Sequence, residues 1–371
     1  MPALPDTLSL PPTVLTRAGA IRDLPTLCAP FGRRGLLVHG ASLAARGTLD
    51  VIREAAHAAG TTLSAWQHPG GEPRLRHVEA LIAAIRDASP DWVAAVGGGS
   101  VIDAAKAAAG LRQAPQPVAF YHAGNPLPPA TTPFIAAPTT AGTGSEATIV
   151  SVLTDEDAGV KKSIRHPTHM PRVVILDPEL LLGAPADVVA CSGMDALTQG
   201  IEAYLSRGAT RLTDALAFEA IRLVYAALPR FYRDQQVETA CKLLEGSFLA
   251  GLALSHARLG LVHGLAHPLG HRYHVAHGRV CAVCLPYVLR FNRETIAEKY
   301  GRLSACLDGD LLDAIEALNA RFGIASPFRG QAIIDADGIM AETLASGSTK
   351  ANPRAVTAAD VRDLLGVLFT A

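Results

Sequence analysis

The residues whose types and spacing can do chemistry lie in the second half of the chain. Asp195 and Gln199 stand four apart in GMDALTQGIE (193–202), and His263 and His267 repeat that spacing in LVHGLAHP (261–268). Residues at i and i+4 share one face of a helix, so each pair presents two polar groups in the same direction. His277 follows in HVAHG (274–278). Asp195, His263 and His277, with or without Gln199, make an N2O or N2O2 donor set suited to a first-row divalent ion such as Fe(II) or Zn(II). The pairs sit among small apolar residues, where polar side chains without a common purpose would be costly. His271 and His274 lie in the same run, so spacing alone does not select the ligands.

A second kind of chemistry is written in the first half. The stretch VGGGSVIDAAK (96–106) reads as strand, tight glycine turn and helix. Such a turn lets backbone approach a diphosphate, and the free N–H groups at the helix start favour its charge. Ser100 is placed as the helix N-cap with Asp103 three residues on, and Gly110 as the residue that ends the helix. PTTAGTGSE (138–146) also follows a strand, and its hydroxyls suit the polar parts of a ligand at a sheet's carboxyl end.

These groups need elements to hold them. Apolar runs at 35–39, 62–66, 92–96, 134–137 and 173–176 read as strands, with helical text at 49–60, 78–88 and 101–109. Strands alternating with helices imply a parallel sheet covered on both faces. From residue 185 helical periods dominate (187–205, 212–228, 236–256, 261–269, 293–307, 311–322, 357–368). The expected organisation is an α/β dinucleotide-binding domain over 1–180 and an all-helical, metal-binding catalytic domain over 181–371, with a ligand cleft between them.

Composition excludes several other classes. The 371 residues are 49% hydrophobic, and Lys+Arg 33 against Asp+Glu 34 leaves a net charge of −1. That is too apolar for a disordered chain, and it offers no basic footprint for nucleic acid. No apolar run reaches membrane-spanning length without Arg, Asp, His or Pro, and the N-terminus lacks a basic-then-apolar leader pattern. A soluble, cytoplasmic protein without nucleic-acid or membrane partners is expected. The six cysteines lie mostly in apolar text, and Cys281 and Cys284, despite their CxxC spacing, read as inert core thiols.

With these segments in view, the chain resembles the iron-containing (group III, metal-dependent) alcohol dehydrogenase family over nearly its full length. The resemblance is carried by Gly97 to Ser100 with Asp103 and Lys106, PTTAGTGSE at 138–146 and SGMDALTQGIEAYLS at 192–206. GLVHGLAHPLGHRYHVAHG at 260–278 and Asn352-Pro353-Arg354 complete it. It implies a nicotinamide cofactor and a divalent metal meeting in the cleft, a small alcohol or carbonyl substrate, and a homodimer. The family's metal ligands fall on Asp195, Gln199, His263 and His277, and its non-ligand active-site histidine on His267. His267 would relay a proton, with an ordinary pKa near neutrality. The pyrophosphate loop falls on Gly98, Gly99 and Ser100, with Gly97 before it also a cofactor-binding position, the ribose and nicotinamide contacts on Thr139, Thr140 and Thr143, and the cofactor-contacting lysine on Lys162, with Lys161 one residue away.

Two departures from the family pattern matter. Its usual motif has His where this chain has Gln199, and an amide oxygen is a poorer ligand for Fe(II) or Zn(II) than imidazole. Either Gln199 completes a weaker site or three ligands hold the metal with water, as in related zinc-using glycerol dehydrogenases. After the first strand, Gly40-Ala41-Ser42 carries no carboxylate to repel a 2′-phosphate. Gly40 and Ser42, with His39 or Arg46 nearby, imply NADP(H) in preference, with NAD(H) possible. The alternative function is a maleylacetate reductase-like reduction of an activated ketone with weak or no metal dependence. A dehydroquinate synthase-type reaction on a polyanion is disfavoured, because Lys242 is the only lysine between 163 and 298. A non-enzymatic binding module would leave the convergent donors without a purpose.

Overall fold

The computed structural model describes residues 1–370. Its strands are β1 (Thr13–Thr16), β2 (Arg34–His39), β3 (Thr62–Gln67), β4 (Trp92–Gly97), β5 (Phe134–Pro138), β6 (Val150–Asp155), β7 (Val160–Arg165) and β8 (Val173–Leu176). Six of them form a parallel sheet in the order β1-β8-β5-β4-β2-β3, while β6 and β7 pair antiparallel as a separate hairpin. Alternate residues go to opposite cores, as the two-residue period of a strand requires. Leu36, Val38, Val93, Ala95 and Ala136 pack under helices α2 (Leu75–Ala88) and α3 (Gly99–Leu111). Leu37, Trp92, Ala94, Val96 and Ile135 pack on the other face, with Leu49 and Ile52 of α1 (Thr48–Ala58). Burial on both faces explains why the inner strands read as unbroken apolar runs.

From Ala186 onward the described chain is helical: α4 (Ala186–Leu205), α5 (Arg211–Asp234), α6 (Val237–Ala257), α7 (Leu261–Tyr273) and α8 (His277–Asn292) build its centre. Shorter helices at Ala297–Cys306, Leu311–Arg321, Ala336–Ala345 and Ala358–Thr370 cover it. This α/β domain followed by a helical domain is the expected fold class. Three local expectations are corrected. Helix α3 is capped by extended Gly98 instead of Ser100, so it starts at Gly99 and Asp103 turns inward. Gly110 lies inside α3, where any side chain would collide with the His169 ring. Finally, α8 forms despite Pro286, and α7 runs through Pro268, because burial on the surrounding helices outweighs the lost backbone bond. Among the described residues no single helix is long and apolar enough to cross a membrane.

The two halves meet backbone to backbone. Gly144, at φ 58°, lies against Gly251 of α6, and a Cβ on Gly251 would come within 2.6 Å of the Gly144 carbonyl oxygen. Next to this contact, the Lys106 ammonium of α3 is buried among five oxygens. They are the carbonyls of Ser145 (2.6 Å), Thr148 (3.0 Å) and Val150 (2.7 Å) and the hydroxyls of Ser145 and Thr148. Burial pushes Lys106 down to about 8, against the pull of Asp103 and Glu146, so it stays charged at neutral pH. Asp103 accepts from the Ser145 hydroxyl and the Val152 N–H. Together they fasten the 145–152 segment to the glycine-turn helix.

Because backbone cannot yield as a side-chain end can, Gly251→Ala should destabilise the protein by about 1–3 kcal/mol, the usual cost of overpacking. A lowered thermal unfolding midpoint is the expected reading, and an unchanged one would show that the seam opens freely.

Candidate active site

Helices α4, α7 and α8 bring the polar residues of the helical half to one buried point. Helix α4 contributes Asp195, Gln199 and Glu202, at i, i+4 and i+7, all on one face and each at most 5% exposed. Helix α7 contributes His263 and His267, and α8 contributes His277 with Cys281 one turn on. The Glu202 carboxylate accepts from His263 Nδ1 at 2.5 Å and from the Val262 N–H at 2.7 Å. It thereby caps the start of α7 and leaves His263 Nε2 pointing inward as the atom free to bind a ligand. The neighbouring Leu261 N–H donates to Asn352 Oδ1, which also accepts from Asn292. The Asn352-Pro353-Arg354 motif therefore supports this helix start.

Around the point, His263 Nε2 lies 3.3 Å from Asp195 Oδ1 and 3.8 Å from Cys281 Sγ, and His277 Nε2 lies 3.8 Å and 3.6 Å from the same atoms. The four donor atoms all fall within 4.8 Å of one another. Asp195 Oδ1 has no hydrogen-bond partner among the described residues. Burial works against a charge on His263, yet the Cys281 sulfur, Asp195 and Glu202 together hold its pKa well above the ordinary value. Two imidazoles, a thiol and an unpaired carboxylate oxygen converging at this spacing fit a divalent metal. Gln199 Nε2 donates to Asp195 Oδ2 at 3.2 Å, and its Oε1 is unpaired among the described residues.

His267 stacks on His277, with ring centroids 5.3 Å apart at 25°. Burial, then the charges of Lys161 and His263, push it down to about 3. The expectation of a near-neutral pKa is thereby corrected: the imidazole is uncharged at neutral pH. Lys161 is close enough to act on both His267 and His277 and pairs with Glu72 at 2.6 Å, while the Lys162 side chain is exposed. Strand alternation in β7 therefore turns Lys161, and not the expected Lys162, toward the histidines.

In the sheet domain a cleft of about 350 Å³ is lined by Gly40, Ala41, His68 to Gly71, Gly98 to Val101 and Thr140. It lies at the carboxyl ends of β2, β3, β4 and β5, where open parallel sheets bind ligands. Gly98 and Gly99 are needed for close approach, since Cβ atoms there would meet Thr140 Oγ1 at 3.3 Å and Thr143 Cγ2 at 2.6 Å. The Thr139 N–H donates to the Gly97 carbonyl at 3.0 Å, joining the two loops. Gly97, Thr139, Thr143 and the exposed Ser42 lie outside this lining. His39 Nδ1 faces the Gly40 carbonyl, and Arg46 donates to the Leu180 and Leu182 carbonyls, so Arg46 is engaged away from the cleft. The 139–143 loop rests on α4, where a Cβ on Gly142 would meet Ser192 Cβ at 2.8 Å, one helical turn before Asp195.

Sequence reasoning missed the places of Cys281 and Glu202 at the donor cluster and of His68 in the cleft lining. For the first two a signal was present: Cys281 stands at i+4 from His277, and Glu202 at i+7 from Asp195. His68 carried none, since only the fold sets the end of β3 across β2 from the glycine turn.

Both halves of the chain match known proteins. Residues 11–178 match the family model described as iron-containing alcohol dehydrogenase, and residues 189–369 match the C-terminal domain of the Fe-containing alcohol dehydrogenase family. The chain is 36% identical over 326 residues to the probable alcohol dehydrogenase EutG of Escherichia coli, covering 86% of this chain and 82% of that one. It is 31% identical to lactaldehyde reductase of Escherichia coli, covering 90% and 91%. Among solved structures, the sulfoacetaldehyde reductase of Bifidobacterium kashiwanohense in complex with NAD+ superposes with a TM-score of 0.89 at 28% identity, covering 98% of each chain.

Since Glu202 orients His263 and caps its helix, Glu202→Gln should weaken divalent-cation binding about 10–100-fold, as loss of an outer-sphere partner typically does. Titration calorimetry on folded protein measures this, and wild-type affinity in the variant would remove Glu202 from that role.

Proposed function

This chain belongs to the iron-containing alcohol dehydrogenase family, and on that premise we propose that it transfers hydride between NADP(H) or NAD(H) and a small alcohol or carbonyl in the cleft between its two halves. The observation that carries the reading is the convergence of the Asp195, His263 and His277 donors from α4, α7 and α8, with the 139–143 loop resting on α4 one turn before Asp195. When bound, the nicotinamide supplies or takes the hydride, and a divalent cation polarises the substrate oxygen. Asp195, His263 and His277 would hold that cation, with Gln199 beside Asp195. Gly98, Gly99 and Ser100 would cradle the pyrophosphate, while Gly97, Thr139, Thr140 and Thr143 shape the turn and fix nicotinamide distance. His267, stacked at the cluster's edge, would pass the hydroxyl proton toward solvent as a neutral imidazole. Retention of all three metal donors favours this over a metal-independent reductase.

The low aromatic content, 5%, and the apolar walls support a small uncharged substrate. Cofactor choice rests on Gly40, where an added Cβ would meet only Val101 Cγ2, at 3.7 Å. That leaves room for a 2′-phosphate and nothing to repel it. Because Arg46 is engaged elsewhere, NADP(H) preference in this reading comes from absent repulsion, and NAD(H) remains usable. A division of labour between 1–180 and 181–371, a cytoplasmic location and a homodimer belong to the same reading, the last on family resemblance.

The test is nicotinamide absorbance with a panel of small aldehydes and ketones. Turnover should be present in metal-loaded protein and lost on chelation, while His267→Ala keeps its metal and loses about 10²-fold or more, a typical acid–base contribution. Full turnover in verified metal-free protein would overturn the reading. For the cofactor, Gly40→Asp should cut kcat/KM with NADPH about tenfold relative to NADH, the scale of one charge repulsion in a solvated cleft. A wild type that already favours NADH by that factor would defeat the NADP(H) assignment.

A further inference from the structure

Resting on the metal reading above, we propose that Cys281 is the fourth protein ligand of this chain's metal site, taking the place left by Gln199. Four of the six edges of the donor cluster are 3.3, 3.8, 3.8 and 3.6 Å. A tetrahedral ion with metal–N and metal–O near 2.0–2.1 Å and metal–S near 2.3 Å has edges of about 3.3–3.6 Å, so the atoms already stand close to coordination spacing. Cys281 is fully buried, and it follows His277 at i+4 on α8, the spacing that pairs ligands on a helix. Asp195, 2% exposed, directs an unpartnered oxygen into the same point.

Gln199 is tied to Asp195. A 3.2 Å contact to a carboxylate oxygen requires the amide nitrogen on that side, since its oxygen there would be repelled. Its NH2 therefore holds Asp195 in orientation, a positioning role, and its unpaired Oε1, a neutral amide oxygen, is a weaker donor to a first-row ion than the Cys281 sulfur beside it. Cys284, three residues beyond Cys281, stands outside the donor cluster. On ligation the Cys281 S–H proton leaves to solvent and the sulfur binds as thiolate. A set of one carboxylate, two imidazoles and one thiolate is softer than one made only of nitrogen and oxygen, which moves the site toward Zn(II).

The experiment loads the full-length apoprotein with Co(II) as a spectroscopic stand-in and with Zn(II) in competition with a chelator. In the wild type, bound Co(II) should show a near-ultraviolet thiolate-to-metal charge-transfer band. Cys281→Ser should lose that band and bind Zn(II) at least about tenfold more weakly. The wild-type band needs no variant, so it decides the matter even if Cys281→Ser folds poorly. Co(II) bound without the band, with binding abolished in His263→Ala, overturns Cys281 as ligand and leaves the three-residue metal site standing. Failure of the wild type to bind either ion overturns both.

Discussion

The carboxylate of Glu202 is the constraint on which the helical half turns. Only 5% exposed between α4 and α7, it accepts from the start of one helix and from the ring of the histidine on that helix. A helix N-terminus carries partial positive charge and unpaired N–H groups, so a carboxylate there is favourable on both counts. The same side chain fixes which nitrogen of His263 faces the donors. Capping and ligand orientation are thus one interaction, and neither can be altered without the other.

In the sheet half a cation plays the corresponding part. Lys106 reaches from α3 into a ring of buried carbonyls and donates to three of them, and Asp103 holds the strand beyond it. Removing one partner of such a buried charge set typically costs several kcal/mol, because the remainder stays desolvated. The glycine turn and the threonine loop are therefore held together from behind, by groups that never touch the cleft. Their ligand-facing sides are left to backbone and hydroxyls.

Much of this was legible in the sequence, for physical reasons that differ by element. The strands β2, β4 and β5 are buried on both faces, so their apolar runs are continuous and their limits are recovered to within about a residue. Edge strand β1 is half exposed, and the β6–β7 hairpin turns through Glu156-Asp157-Ala158-Gly159, so neither shows a run or a clean alternation. Helix α8 was hidden by Pro286. In the site, the pairs Asp195/Gln199 and His263/His267 stood out because polar residues four apart in apolar text are conspicuous. Cys281 did not, since a thiol in apolar text looks like core until a fold sets histidines beside it. The inward turn of Lys161 depended on a strand register that two adjacent lysines leave open.

The Gly144–Gly251 contact joins the halves without a single side chain. Ordinary domain seams drift as their residues exchange one methylene for another, and the bodies they separate shift by fractions of an ångström with each exchange. Here there is no smaller residue to substitute and no larger one that fits. The spacing between the 139–144 loop and the helical half is therefore set at this point by main chain alone. Side-chain exchanges elsewhere along the seam work against a stop that they do not move.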